Sequence, residues 1–146
     1  MKIFLRLIFL LFLFPIQSSY AQDSLTPQQV ERVKVCKNLL EEIDTKSLQR
    51  TINELEKSLD PEMNLQIMEA MARTYVDIVR ENNVVELKNK QWLYSMITLN
   101  MANIQFGGGV DEESRDAPLN RLIQRKLKEH LSPELMNHPG FSKSVE

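Results

Sequence analysis

The chain has a single cysteine, Cys36, among its 146 residues. One thiol cannot form an internal disulfide, so the fold must be held by its core. Cys36 falls in the stripe Val33, Cys36, Leu40, Ile43, at helical spacing. That placement predicts a buried thiol acting as a small apolar residue, ahead of a reactive thiol or an intermolecular disulfide. Histidine is equally scarce. His130 and His138 stand eight residues apart with no His-Glu-x-x-His pattern, and no second cysteine offers a zinc ligand. No Gly-x-Ser-x-Gly elbow occurs. Nothing alternates with period two over strand length, which argues against a sheet. No catalytic residue, metal or cofactor is expected.

The longest apolar run is Leu7 to Phe14. It is too short to span a bilayer, which takes about 20 residues. Lys2 and Arg6 flank it on one side; Pro15, then Gln17, Ser18 and Ser19, follow on the other. Ser19-Tyr20-Ala21 places small residues where a signal peptidase reads. The segment 1–21 is therefore expected to be a signal peptide cleaved after Ala21, with export to the bacterial periplasm or beyond the cell. Membrane contact is expected only through that segment before cleavage. Its removal takes the formal charge from −2 to −4, because Lys2 and Arg6 leave and no acidic residue does. A mildly acidic domain has no general attraction for nucleic acid or anionic lipid.

Punctuation in the remaining chain is clear. Thr26-Pro27-Gln28-Gln29 has a hydroxyl at N-cap, proline at N1 and glutamine at N3. Asp60-Pro61-Glu62, Asp116-Ala117-Pro118 and Ser132-Pro133-Glu134 have the same form, and Asn83-Val84-Val85-Glu86 reads as a start without proline. Apolar residues recur at three and four between these points. They predict helices over about 27–43, 46–59, 61–81, 84–106, 117–131 and 133–137. The expected fold is all-α: an irregular bundle of five to six helices over 22–138, after the signal peptide, with a mobile tail at 139–146.

The fourth helix is the most informative. Between Gln91 and Val110 there is no charged residue. Trp92, Leu93, Tyr94, Met96, Ile97, Leu99, Met101, Ala102, Ile104 and Phe106 point in nearly every direction around it. Such a helix is expected at the centre of the bundle, covered on all sides; a face shared with a partner or an apolar ligand is the second reading. Asn100, Asn103 and Gln105 speak against a membrane span, and inside a core each needs hydrogen-bond partners. Met63, Met68, Met71, Met96 and Met101 on the third and fourth helices fill a core or frame an apolar cavity. Gly107-Gly108-Gly109 then ends the helix. A phosphate-binding loop has its glycines before a helix, so a left-handed C-cap and a joint is the better account.

Two charged groups remain. Arg121, Arg125 and Lys128 share one side of the fifth helix and make either a solvated face or a docking surface for an acidic partner or anionic lipid headgroups. Asp111, Glu112, Glu113 and Asp116 lack the alternating order of a calcium loop. Glu69 is the carboxylate to test first if the protein cuts cell-wall glycans. The candidate binding residues are Trp92, Tyr94, Asn100, Asn103, Gln105, Gly107, Gly108, Gly109, Arg121, Arg125 and Lys128. The leading functional expectation is a non-catalytic exported module that binds another macromolecule, with a protein partner. The alternative is a carrier of an apolar small molecule or lipid between the third and fourth helices; a wall-acting hydrolase or lyase comes third.

Overall fold

Thr26 opens the first helix as its sequence predicts. Its Oγ1 accepts the Gln29 N–H at 3.2 Å while the Gln29 side chain accepts the Thr26 N–H at 3.0 Å. These reciprocal bonds satisfy two of the donors that a helix start leaves unpaired. The computed structural model describes residues 25–141 except 44, 58 and 59. The expected signal peptide, Leu59 and residues 142–146 lie outside the described residues. Six helices follow one another: α1 (Pro27–Leu39), α2 (Thr45–Lys57), α3 (Pro61–Glu81), α4 (Leu87–Gln105), α5 (Ala117–His130) and α6 (Pro133–Met136). Among the described residues there is no strand, and the chain is all-α.

Two more caps act as their sequence suggests. Asp60 accepts from the Met63 N–H at 3.0 Å, and Ser132 from the Leu135 N–H at 3.0 Å. One expected cap and one expected start are corrected. Asp116 makes no side-chain cap, and its ψ of 9° is not the extended conformation of an N-cap. Instead Ser114 closes the turn: its Oγ accepts the Asp116 N–H at 3.2 Å and its carbonyl the Ala117 N–H at 3.1 Å. Asn83 does not open α4; it helps to close α3. It adopts φ 49°, with its own N–H on the Arg80 carbonyl and the Val84 N–H on the Val79 carbonyl. That is a Schellman ending, and asparagine tolerates its left-handed position. The same motif ends α4, where Gly107 has φ 73° and the Gly108 N–H reaches the Asn103 carbonyl at 2.8 Å.

The central helix is α3, not α4. It packs against α1, α2, α4 and α5. It buries Leu65, Met68, Tyr75 and Ile78, and also the small Ala70, Ala72 and Thr74, whose size lets neighbouring helices approach on more than one side. α4 has its main contacts with α3 and α5 and buries only Leu93, Ile97, Asn100 and Met101. Trp92, Leu99 and Phe106 remain 47%, 56% and 63% exposed. Apolar composition on all sides measures how much surface favours burial, and here one side of α4 finds no cover among the described residues. No described helix is long and apolar enough to cross a membrane.

Smaller differences have local causes. α1 stops at Leu39, and Leu40 and Ile43 reach the core through the turn that follows. Val30, expected on the apolar side of the first helix with Val33, is instead exposed. Phe141, placed in the expected mobile tail, is buried, and its carbonyl accepts from Gln105 Nε2 at 3.2 Å. The methionines fill core: Met63, Met68 and Met101 are buried, and Met71 and Met96 pack against the same cluster.

α1 is clamped to α3 by Arg32, which binds Glu62 at 2.8 Å and also Glu69. Glu62 accepts further bonds from Gln29 and Gln66. The hydrogen bond from Arg32, ahead of those from Gln29 and Gln66, holds the Glu62 carboxyl below its ordinary value of 4.5. A carboxyl lowered in the folded state adds stability above its unfolded pKa and loses it as the pH falls through the folded value. Urea unfolding of the wild type is therefore expected to show a loss of stability below about pH 4.5 that Glu62→Gln reduces; the effect is small because Glu62 is half exposed. Identical acid profiles for the two proteins would remove this role.

A second outcome concerns the end of α4. Gly107→Ala puts a side chain into a left-handed position and should cost about 1 kcal/mol, read by denaturant unfolding. Gly109→Ala meets nothing within 4 Å and has no such strain, so it should be near neutral.

Candidate functional site

Residues on α4 advance by about 100° each. Ile97 is fully buried against the core. Relative to it, Trp92, Leu99 and Phe106 lie about 180–220° away, on the opposite side of the helix. Their seven-residue spacing makes one stripe rather than scattered exposure. Exposed Ser95 and Thr98 add little polarity, because their hydroxyls donate back to the Gln91 and Tyr94 carbonyls at 3.1 and 3.0 Å. Val85 and Leu87 extend the apolar surface ahead of Trp92. Of the seven large apolar residues exposed among the described residues, five (Val85, Leu87, Trp92, Leu99 and Phe106) belong to α4 and its approach, so the exposure is concentrated.

At its N-terminal end the stripe meets a groove of about 490 Å³ between the end of α3, the start of α4 and the start of α5. Val84, Val85, Trp92 and Leu119 line it together with Ile78 and Leu93, while Asn82, Asn83 and Asn89 add amides and Glu86 a carboxylate.

Behind the stripe, a buried amide network ties α4 to α5. Asn100 is 2% exposed. Its Nδ2 donates to the Met96 carbonyl at 2.9 Å and to Asn120 Oδ1 at 2.8 Å, and its Oδ1 accepts from Gln124 Nε2 at 3.0 Å. Gln124, also buried, reaches the Gly109 carbonyl at 3.5 Å. The expected need of Asn100 for partners is thus met inside the protein. The other two amides of α4 have separate surroundings: Gln105 holds Phe141, and Asn103 is half-buried, with its backbone carbonyl in the helix ending.

The sequence-predicted residues therefore form three groups. Trp92 faces outward with the stripe. Tyr94 turns inward and packs edge-on against Tyr75, centroids 6.1 Å apart, and burial pushes its phenol up to about 12. Asn100 and Gly109 share the amide network, while Gly107 and Gly108 form the helix ending. Arg121, Arg125 and Lys128 are exposed and line a second groove with Val110, Gln124 and Glu129; Arg121 pairs with Glu112. Sequence reading missed Asn120, Gln124 and Leu119. Asn120 and Gln124 sit four apart beside the Ile123–Leu127 stripe of α5, where an amide that meets water and one that meets the core read alike.

Reactive chemistry is sparse among the described residues. No group of three His, Cys, Asp or Glu side chains converges on a point that could hold a metal. Glu69 is engaged with Arg32. Burial pushes the Cys36 thiol up to about 11, so it is not an activated nucleophile.

Asn100→Leu takes the donor from Asn120 Oδ1 and the nearer acceptor from Gln124 Nε2, which keeps only its long bond to the Gly109 carbonyl. It is expected to cost about 1–3 kcal/mol in urea unfolding, and adding Gln124→Leu should cost less than its effect alone, as a double-mutant cycle reads. Strict additivity would show that the network couples nothing. A scan against protein-family models, a search of curated proteins and a search of solved structures each find no match to this chain.

Proposed function

We propose that the chain is an exported, non-catalytic helical bundle that binds another macromolecule, in the bacterial periplasm or outside the cell, once segment 1–21 has been removed. The observation that carries this reading is the uncharged stripe Trp92, Leu99, Phe106, outward-facing on a helix whose other side is already in the core. Contiguous exposed apolar surface of this kind marks interaction sites on proteins that live in water. An aromatic anchor with aliphatic neighbours and no charge to desolvate is the usual make-up of an interface centre. The basic groove on α5 supplies a polar surface suited to an acidic region of a partner.

A second reading is favoured by the groove beside Trp92. Its apolar wall and three asparagines suit a small apolar molecule with a polar end. In that case native mass spectrometry of protein made in its own host shows bound lipid or metabolite, and Leu119→Trp removes it.

For the leading reading, a photo-reactive residue at Leu99 in cells exporting the chain is expected to give an adduct with a macromolecule. Trp92→Ala and Phe106→Ala should each weaken the association about tenfold. Melting temperature should hardly change, because both side chains are exposed. No adduct at Leu99, together with turnover of a wall or small-molecule substrate, would overturn the proposal.

A further inference from the structure

We infer that the macromolecule on this face is a second copy of the same chain, its α4 lying antiparallel across the first with Leu99 at the two-fold axis. The inference rests on the reading above, that the stripe is covered by a macromolecule. It adds which one.

The charge distribution is the first argument. The only charged residues of α4 are Lys88 and Lys90, both near its N-terminal end. Lys90 is turned toward Glu42 and is largely covered, whereas Lys88 is 81% exposed, its pairing with the exposed Glu86 at 3.4 Å being one that water screens. At the other end the helix stops at Gly107, and Asp111, Glu112 and Glu113 follow. Parallel copies would bring lysine toward lysine and acidic loop toward acidic loop. Antiparallel copies bring the exposed lysine of each toward the acidic loop of the other, and they also oppose the two helix dipoles favourably. Between these ends no charge interferes in either orientation.

The stripe is also complementary to itself. With Leu99 on the axis, Trp92 of one copy lies opposite Phe106 of the other, a pairing repeated on both sides as an isologous contact requires. Ser95 and Ala102, small residues between the large ones, let two helices approach closely. The large residues recur every seven positions, the period that keeps a seam facing its partner. From Trp92 to Phe106 the seam is about 21 Å long at 1.5 Å per residue. One helix face covers less than the roughly 800 Å² per partner of a standard interface. The pairing is therefore reversible and depends on concentration.

Sedimentation of the exported chain over a concentration series should show a monomer–dimer equilibrium, and Leu99→Glu should leave only monomer with unchanged helical circular dichroism. Orientation is read by cysteine pairing. Leu99→Cys alone should form a disulfide-linked dimer under mild oxidation. Trp92→Cys and Phe106→Cys should each do so poorly alone and well when mixed. Cys36 is buried and can stay in place; a Cys36→Ala background giving the same pattern excludes its participation. Self-linking of Trp92→Cys would overturn the antiparallel arrangement. A chain that stays monomeric at its highest soluble concentration while Leu99 adducts contain a different macromolecule would overturn the second copy and leave the binding reading standing. Monomer with no Leu99 adduct at all would remove both.

Discussion

The rotation of α4 about its own axis is set by one buried side chain, Asn100. An apolar core alone would specify that rotation poorly, since Leu93, Tyr94, Met96, Ile97, Leu99 and Met101 offer apolar surface in most directions. A turned helix would still bury hydrocarbon. It could not keep Asn100 bonded to Asn120 and Gln124 of α5, and stranding those amides costs about 1–3 kcal/mol. The amides therefore choose among faces that hydrophobicity leaves nearly equivalent. Once Asn100 and Ile97 point inward, Trp92, Leu99 and Phe106 must point out.

That choice also depends on α3 holding the centre. Ala70, Ala72 and Thr74 give α3 close approaches that the bulkier α4 lacks, and Arg32 fastens α1 to it through Glu62 and Glu69. With α1, α2, α4 and α5 all packed on α3, too few of the described elements remain to cover the far side of α4. The helix ending sharpens the boundary. The left-handed Gly107 stops α4 directly after Phe106, so the apolar stripe ends where the acidic loop begins.

How much of this was legible in the sequence depended on whether a signal had one physical meaning. Proline after a capping residue has nearly one, and the starts at Thr26, Asp60 and Ser132 follow it. Asparagine has two: it caps helix starts, and it also tolerates the left-handed turn at helix ends. Asn83 was therefore legible as punctuation but not as which kind. The core stripe Val33, Cys36, Leu40, Ile43 was readable through a change from helix to turn, because burial depends on position more than on helical hydrogen bonding. The candidate face was half legible. Charge-free composition pointed to α4 and Asn100 to internal bonding, but the sequence does not say which neighbour takes the centre. Asn120 and Gln124 were hidden because a polar residue at the margin of an amphipathic helix looks the same whether it meets water or a buried amide.

The residue types on the outer side of α4 are not explained by the stability of the single chain. At a position more than half exposed, glutamate, lysine or glutamine is as good a helix former as leucine and better than phenylalanine or tryptophan. Folding alone therefore places no demand for Trp92, Leu99 and Phe106 on that side, and aqueous solubility opposes them. Apolar surface returns about 25 cal/mol per Å² only when water is removed from it. The face thus contributes favourably to a state in which something else covers it. The same Asn100 that secures the fold aims that surface outward, which makes the internal packing and the outward apolar face two consequences of one helix orientation.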